Sequence, residues 1–330
     1  MARIALVHDI AGVASVQAML LRGAGHQVDQ ISLPEWGASW RWPAKALALP
    51  ARLAAYLPVA RRLHRGRYDI VHIHFLSHGI VGVLARIPFF AQAHGSDLHV
   101  NLNSRVYRLV TNAVLRSARA IFYVTPNLPA YLDGFQPKLI HLPNPVDISE
   151  ATAPPPDEIK SVVIFTRLHP VKGVEQIFGA VERLRALGLD VTALDYGPLA
   201  TEYKRAYGRW VDFVKPIPHD QIGAFVSRFD LVIGQMRQGV LGLMEIEALA
   251  AGRPVMTALD RTLYANDPPP VVAASGTDAI VAGVERLKSD PVELGRLSAH
   301  GREWAIRNHG YARHLQLLLA AYFGPSGDKH

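Results

Sequence analysis

The sequence has 330 residues, of which 49% are hydrophobic and 19% are charged, and its formal net charge is +7. This composition can bury large cores, and at roughly 150 residues per domain the length predicts about two domains. Because the sequence contains no cysteine, disulfide bonds, thiolate metal ligands and cysteine nucleophiles are all excluded.

The positive charge is concentrated in the first half of the chain. Residues 1–160 carry 16 Lys and Arg against 10 Asp and Glu, whereas residues 161–330 carry 19 against 18. A basic face attracts nucleic acid, anionic lipid or an anionic small molecule, and charge alone does not choose among them. We find neither a signal-peptide pattern nor an apolar stretch of about 18 residues, so we expect a cytoplasmic protein without a transmembrane helix.

Short apolar runs alternate with helical patterns along the first half. A strand over Arg3–Val7 and a helix over Val13–Ala24 come first; further strands are predicted over Val28–Leu33, Asp69–Phe75, Phe89–Ala93, Ala120–Thr125 and Lys138–Leu142. This rhythm is typical of a mostly parallel sheet covered by helices.

A proline-rich segment, Ala151–Glu158, is the best linker in the sequence, and we place a domain boundary there. The rhythm then restarts with strands over Ser161–Thr166, Asp190–Leu194, Val211–Val214, Leu231–Ile233 and Pro254–Ala258, and helices over Val174–Leu187, Leu241–Ala251, Thr277–Lys288, Pro291–Asn308 and Tyr311–Tyr322. Two α/β domains, 1–150 and 151–310, predict two parallel sheets that face a cleft, with ligands at the carboxyl ends of their strands.

In the segment from Gly239 to Val255, small residues precede a predicted helix. A helix N-terminus presents unpaired N–H groups and positive dipole, which suits a phosphate. Glu245 and Glu247 point about 200° apart on such a helix, so we expect one to face the ligand and the other to face solvent. An ordinary helix capped by glycine is the alternative interpretation.

Two further segments carry candidate groups. Arg167 and Lys172 lie in a strand-to-helix loop, where two cations could neutralise a diphosphate leaving group; two solvated loop charges are the alternative. His94, in His94-Gly-Ser-Asp97, follows a strand and could bind a ligand hydroxyl, or serve as a structural loop residue. His72 and His74 share one face of a strand and are expected to be structural. We expect no metal, because neither H-E-x-x-H nor D-x-D occurs.

Five segments in this order resemble one family. They are His94-Gly-Ser-Asp97, Asn144-Pro-Val-Asp147, Arg167-x4-Lys172-Gly, Gly197-Pro198 and Glu247-Ala-x-Ala-x-Gly-x-Pro254-Val. Their order and spacing resemble retaining glycosyltransferases of family GT4, and the resemblance covers nearly the whole chain. It implies the GT-B fold of two Rossmann-like domains, an N-terminal acceptor side and a C-terminal donor side, with a C-terminal helix of about 311–330 that packs back on the first domain.

The resemblance implies a role for each matching residue. Arg167 and Lys172 match the pair that contacts the donor diphosphate, Glu247 matches the residue that holds the ribose hydroxyls, and His94 matches the histidine near the reacting anomeric centre. The donor-binding set that follows is Gly12, Arg167, Lys172, Val214, Val240, Leu241, Gly242, Leu243 and Glu247. The family transfers sugar from a nucleotide-diphosphate donor with retention and without a metal or other cofactor.

The sequence departs from the family at two positions. The family's E-x7-E motif begins with a Glu eight residues before the position of Glu247, where this sequence has Gly239; a subset of the family also lacks that Glu. The usual Gly-Gly of the first loop is Ala11-Gly12 here. The first departure leaves open a non-catalytic nucleotide-sugar-binding subunit as the alternative function. A nicotinamide dehydrogenase is not supported, because no G-x-G-x-x-G follows a strand.

Residues 36–67 combine Trp36, Trp40 and Trp42 with seven Lys and Arg residues. Aromatic residues beside cations suit a membrane interface, so one interpretation is peripheral contact with the anionic inner face of the cell membrane; the other is a solvated helix beside a tryptophan-lined acceptor pocket. We expect a glycan, lipid-linked or small-molecule acceptor. Nucleic acid is not an expected partner, because it would not explain the five ordered segments.

Overall fold

The computed structural model describes residues 1–34, 49–99, 104–148 and 154–324. The chain forms two compact units. The first comprises Met1–Pro145 and the chain from His314 onward, and the second comprises Val146–Arg313. The division thus falls a few residues before the linker segment that begins at Ala151.

The first unit is built on a six-stranded parallel sheet. Its strands are β1 (Arg3–Val7), β2 (Gln27–Ile31), β3 (Ile70–His74), β4 (Phe90–Ala93), β5 (Ala120–Tyr123) and β6 (Leu139–His141), in the order β2-β1-β3-β4-β5-β6. The order reverses between β1 and β3, and the loops that follow parallel strands on either side of such a point form a ligand-binding edge. Buried side chains lie on both faces of this sheet, so the strands read as apolar runs.

Helices cover both faces of this sheet. They are α1 (Val13–Gly23), α2 (Leu49–Arg65), α3 (Ile80–Ala85), α4 (Ser96–His99) and α5 (Arg105–Ser117). The last helix among the described residues, α12 (Tyr311–Phe323), buries Leu318 and Tyr322 in the apolar cluster that also contains Ile4, Leu6 and Leu21. From His314 onward α12 therefore belongs to the first unit.

The second unit repeats the architecture. Its strands are β7 (Ser161–Ile164), β8 (Asp190–Leu194), β9 (Asp212–Val214), β10 (Leu231–Ile233), β11 (Val255–Thr257) and β12 (Val272–Ala273), all parallel, in the order β12-β11-β10-β7-β8-β9. Its helices are α6 (Val174–Ala186), α7 (Ala200–Tyr207), α8 (Ile222–Val226), α9 (Leu243–Ala250), α10 (Thr277–Lys288) and α11 (Pro291–His309). Here the order reverses between β7 and β10.

The predicted α/β class, with two parallel sheets covered by helices, is confirmed. All eleven predicted strands are present, most of them one or two residues shorter than predicted. The helix predicted to begin at Leu241 begins at Leu243, because Gly242 has an extended backbone. Among the described residues, no helix is both long and apolar enough to span a bilayer.

Part of the predicted membrane-facing segment lies outside the described residues. This part includes Trp36, Trp40 and Trp42. The remainder forms α2 and the turn that follows it.

Candidate functional site

In the second unit, the loops after β7 and β10 lie on either side of the point where the strand order reverses. The β7 loop carries Arg167 and Lys172, and the β10 loop, residues 234–242, leads into α9. Because the carboxyl ends of neighbouring parallel strands meet at one sheet edge, this edge is the expected place for a ligand in such a unit.

Lys172 is anchored between these two loops. Its carbonyl accepts a 2.7 Å hydrogen bond from Met236 N, and its Nζ donates at 2.6 Å to Gln238 Oε1. A Cβ atom at Gly242, the residue before α9, would lie 3.8 Å from Lys172 Nζ. The ammonium group therefore lies at the N-terminus of α9, where the first backbone N–H groups have no acceptor within the helix.

The β10 loop is held from inside by Gln235, whose side chain is fully buried. Its Oε1 accepts from the N–H groups of Arg237 and Gln238, and its Nε2 donates to the carbonyls of Val240 and Ala258 at 3.0 Å each. These bonds fold the backbone back on itself, with Gly239 in the left-handed region at φ 70°. Val240 and Leu241 are buried as a result.

Both glutamates of α9 are buried: Glu245 is 2% exposed and Glu247 9%. The expectation that one of them faces solvent is therefore wrong. Glu245 accepts hydrogen bonds from the backbone N–H groups of Gln235 and Gly242, at 2.8 and 2.9 Å. A side chain at Gly234 would lie 2.5 Å from Glu245 Oε1, so the glycine is needed for this close approach.

Glu247 lies at a separate cavity of about 160 Å³ in the second unit. The cavity is lined by Asp147, His219, Asp220, Ile222, Gly223, Glu247, Ala250, Ala251 and Tyr311. Within the described residues Glu247 Oε1 has no hydrogen-bond partner, although His219 Nδ1 lies 3.2 Å away, because the geometry is not that of a hydrogen bond. Burial, and secondly the nearby Glu245, raise the pKa of Glu247 to about 8. Its carboxyl group is available to a ligand in this cavity.

Arg167 lies in the β7 loop with Lys172, whereas Val214 ends another strand of the same sheet, β9. Arg167 is exposed, and its guanidinium carbon lies 5.6 Å from the centre of the Tyr196 ring. Val214 is the last residue of β9, and its carbonyl accepts from Asp195 N at 2.7 Å. The structure thus brings Lys172 together with the loop at 240–243, and places Arg167, Val214 and Glu247 at other positions in the same unit.

In the first unit, Gly12 precedes α1 in a loop of unusual backbone conformation. Ala11 and Gly12 both have positive φ, 52° and 77°. A Cβ atom at Gly12 would meet no atom within 4 Å, so the loop surface is open there. The N-terminus of α1 is occupied by Asp9, which accepts from the N–H groups of Ala14 and Ser15 at 2.9 and 3.2 Å.

His94, after β4, is held by two groups of its own unit. The fully buried carboxylate of Asp97 accepts hydrogen bonds from the N–H groups of Leu76, His94 and Gly95. On the other side of His94, His74 Nδ1 lies 3.2 Å from His94 Nε2. Burial, and secondly the neighbouring His8, lower the pKa of His94 to about 3, so its ring is neutral near pH 7 and presents one donor and one acceptor nitrogen.

His72 and His74 are fully buried on β3, with ring centroids 4.5 Å apart. Burial holds the pKa of each well below the usual range, so both are neutral in the fold. His72 Nδ1 lies 2.7 Å from the hydroxyl of Tyr322 in α12. Among the described residues, no group of three or more His, Asp or Glu side chains is arranged to hold a metal ion.

The sequence pattern does not single out Gln238, His219 or Tyr311. It assigns no role to Asp97 and Asp147, although these residues lie in two of the five ordered segments. Gln238 belongs to none of the five segments, and Gln235 lies two residues after the end of the buried strand β10. His219, Tyr311 and Glu247 are far apart in sequence and share a cavity only in the folded unit.

Comparison with known proteins adds independent findings. Residues 10–145 match the family model described as glycosyl transferase 4-like domain. The chain is similar to the 2-deoxystreptamine glucosyltransferase of Streptomyces kanamyceticus, at 27% identity over 87% of this chain and 83% of the relative.

Two solved structures share the fold over almost the whole chain. Sucrose-phosphate synthase from Thermosynechococcus elongatus has a TM-score of 0.77 at 17% identity and covers 98% of both chains. Anabaena Alr3699/HepE, solved in complex with UDP-glucose, has a TM-score of 0.72 at 15% identity and covers 96% of this chain and 98% of its own.

Proposed function

We propose that this chain, which is a GT4-type glycosyltransferase with the GT-B fold, takes its sugar from a nucleotide-diphosphate donor and retains the anomeric configuration without a metal. In the transfer, the bond between the sugar C1 and the diphosphate oxygen breaks, and a bond between C1 and an acceptor oxygen forms. The departing diphosphate oxygen gains negative charge and takes up the proton that the acceptor hydroxyl loses.

The observation that carries the proposal is the position of Lys172 Nζ at the N-terminus of α9. A cation and the unpaired N–H groups of a helix N-terminus both stabilise negative charge. Since this charge increases as the leaving group departs, the same groups lower the barrier as well as bind the donor. Arg167, in the same β7 loop, supplies a second cation in the proposal.

The cavity beside Glu247 suits the nucleoside part of the donor. Glu247 Oε1 is buried and without a hydrogen-bond partner among the described residues, and accepting from or donating to a ribose hydroxyl would satisfy it. Val214, at the end of β9, is proposed to contact the base. The bound UDP-glucose of HepE, a protein with the same fold, supports a nucleotide-sugar donor here.

In the first unit, His94 is proposed to contact the reacting end of the sugar, and Gly12 to let the donor or acceptor approach the backbone closely. Nδ1 of the neutral His94 ring, the nitrogen that does not contact His74, can donate or accept one hydrogen bond without adding a charge. A small molecule, a glycan and a lipid-linked sugar remain the proposed acceptor classes; the similar glucosyltransferase is named for a small molecule, 2-deoxystreptamine.

A peripheral contact with anionic lipid is also proposed for the first unit. On α2, the side chains of Arg61, Arg62 and Arg65 are exposed, and Leu57 is 39% exposed. A cationic helix surface with an exposed apolar residue is attracted to an anionic bilayer by charge and by apolar burial.

A donor and acceptor panel tests the proposed reaction. The protein is incubated with UDP-, GDP- and ADP-sugars, with and without EDTA, and sugar transfer and donor hydrolysis are followed by mass spectrometry, with the anomer of the product assigned by NMR. We expect turnover of one donor class, unchanged by EDTA, with a retained anomer. Donor binding without turnover of any donor would contradict the proposal and favour a nucleotide-sugar-binding subunit; an inverted anomer or loss in EDTA would contradict retention or metal independence.

A further inference from the structure

The loop that presents the N-terminus of α9 is poor in polar side chains. From Gln238 to Met244 the sequence is Gln-Gly-Val-Leu-Gly-Leu-Met, so Gln238 is its only polar side chain. The preceding residue, Arg237, is engaged elsewhere: it forms an ion pair with Glu175 and donates to the carbonyl of Pro170. A ligand at this end of α9 therefore meets backbone groups, Lys172 and one amide.

Gln238 is fixed at both its backbone and its side chain. Its N–H donates to Gln235 Oε1 at 2.5 Å, and Gln235 is itself locked by bonds to the carbonyls of Val240 and Ala258. Its Oε1 accepts from Lys172 Nζ at 2.6 Å. Because an ammonium group only donates, the amide oxygen must face Lys172, which turns the two N–H donors of Nε2 away from it. Within the described residues Nε2 donates to no protein acceptor.

The partner that holds Lys172 is therefore uncharged. The buried carboxylate closest to the start of α9, Glu245, is engaged by the N–H groups of Gln235 and Gly242, and Glu175 is engaged by Arg237. An amide can orient an ammonium group without neutralising it, whereas a carboxylate at the same distance would form an ion pair. Lys172 thus keeps its full charge for an anionic ligand.

We infer that Gln238 is a positioning and specificity residue of the donor site: it sets Lys172 Nζ at the N-terminus of α9, and its own Nε2 donates to the same diphosphate or to the sugar oxygen next to it. This inference rests on the proposed function, because it assigns the anion at α9 as the donor diphosphate. The groups that the site offers to a ligand are the ammonium group, the amide and the first N–H groups of α9, because the nearby Glu245 carboxylate is already engaged by the N–H groups of Gln235 and Gly242. The site selects a multiply charged anion over a neutral ligand.

The substitution Gln238→Glu tests the inference with almost no change in shape. The new carboxylate would pair with Lys172 and repel the diphosphate, so we expect the Kd for the nucleoside diphosphate to rise by about tenfold or more. The melting temperature without ligand should stay at or above the wild-type value, because the variant gains an ion pair. A merely structural role for Gln238 would instead lower stability and affinity together.

The experiment measures the Kd of UDP, GDP and ADP by calorimetry for the wild type, Gln238→Glu, Gln238→Ala and Lys172→Ala. Gln27→Glu, at an exposed position of β2 in the first unit, adds the same charge and is the control. We expect the wild type and Gln27→Glu to have the same, lowest Kd. The Kd of Gln238→Ala should be about threefold higher, and that of Gln238→Glu should be higher still.

Affinities of Gln238→Glu and Gln238→Ala within twofold of wild type, with Lys172→Ala impaired, would overturn the role of Gln238 and leave the diphosphate site in place. If Lys172→Ala also binds like the wild type, the proposed diphosphate site itself is wrong. If Gln238→Glu does not fold, the Kd of Gln238→Ala is the test. A Kd of Gln238→Ala equal to that of the wild type would then overturn the inference.

Discussion

Glu245 and Glu247 lie two residues apart in α9 and are both buried, but only Glu245 has its carboxylate hydrogen-bonded within the described residues. Glu245 holds the loop that precedes the helix. Glu247 faces a cavity, and burial raises its pKa to about 8. The two glutamates therefore differ in role. Backbone N–H donors surround the carboxylate of Glu245, and none reaches the carboxylate of Glu247 within the described residues.

Glu247→Gln should stabilise the free protein above pH 7. The ordinary pKa of 4.5 is raised to about 8 in the fold, so the unfolded chain releases this proton at lower pH than the folded one, and stability falls as the pH rises from about 4.5 to 8. The amide removes this loss. We expect a gain of about 4 kcal/mol at pH 8, or about 10 °C in melting temperature, and a gain of less than about 1 kcal/mol at pH 5.

Differential scanning calorimetry at both pH values checks the Glu247 prediction, and the matched control is Glu245→Gln. That variant should lower the melting temperature at both pH values. Gln235 N and Gly242 N donate to different carboxylate oxygens of Glu245, and the amide would turn its NH2 group, a donor, towards one of these N–H groups. Equal melting temperatures for Glu247→Gln and the wild type at pH 8 would show that burial does not raise the pKa of Glu247. The stabilised variant should also lose affinity for the donor if Glu247 binds the ribose.

Asp97→Ala should destabilise the first unit by about 3 kcal/mol. It would leave the buried N–H groups of Leu76, His94 and Gly95 without their acceptor, and each unpaired buried donor costs about 1–3 kcal/mol. Urea unfolding measures the loss. Asp133→Ala, which removes an exposed carboxylate that accepts from Gln136, should change the stability by less than about 0.5 kcal/mol; equal losses for the two variants would refute the role of Asp97.

His94→Ala should reduce transfer by about 100-fold, the usual effect of removing one polar group from a reacting centre, with little change in melting temperature. Steady-state kinetics with the donor found in the panel measures the effect, which should fall mainly on kcat. His300→Ala, on α11 in an exposed position, is the control and should leave the rate unchanged. A rate for His94→Ala within threefold of wild type would remove His94 from the proposed catalytic set.

Replacement of Arg61, Arg62 and Arg65 by Gln should weaken binding to anionic vesicles, by about 1 kcal/mol for each cation. Sedimentation with phosphatidylglycerol vesicles at low ionic strength measures it, and phosphatidylcholine vesicles serve as the control surface. Transfer to a soluble acceptor should not change. If the wild-type protein does not sediment with anionic vesicles at low salt, the proposed membrane contact is wrong.

The sequence predicted the strands well because most of them are short apolar runs buried in the fold; β2, β6 and β9 are only partly buried. It missed β12, whose two residues, Val272 and Ala273, are too few to show any period. It also missed α7, in which only Ala200 is buried, and α5, in which Thr111, Val114 and Leu115 alone are buried. Both helices are amphipathic, and such a pattern predicts a helix that apolar runs alone do not reveal.

The site residues that belong to a sequence motif could be predicted. The contacts that arise from packing between distant segments could not. Lys172 and the loop at 240–243 come together in the fold because their strands are neighbours in the sheet. The burial of both glutamates was not predictable from helical period, because α9 packs against α8, α11 and β11 and so has no solvent-facing side. The amide–ammonium contact between Gln238 and Lys172 depends on the inward fold imposed by Gln235, for which no sequence pattern exists.

The most direct test of the proposed diphosphate site compares the affinity and turnover of Lys172→Ala with those of Lys204→Ala. Lys204 is an exposed lysine of the same unit that pairs with Asp195. Both variants should melt like the wild type. We expect Lys172→Ala to bind the nucleoside diphosphate at least about tenfold more weakly and to lose transfer, while Lys204→Ala behaves as the wild type does. Wild-type affinity and turnover in Lys172→Ala would contradict the assignment of the N-terminus of α9 as the donor diphosphate site.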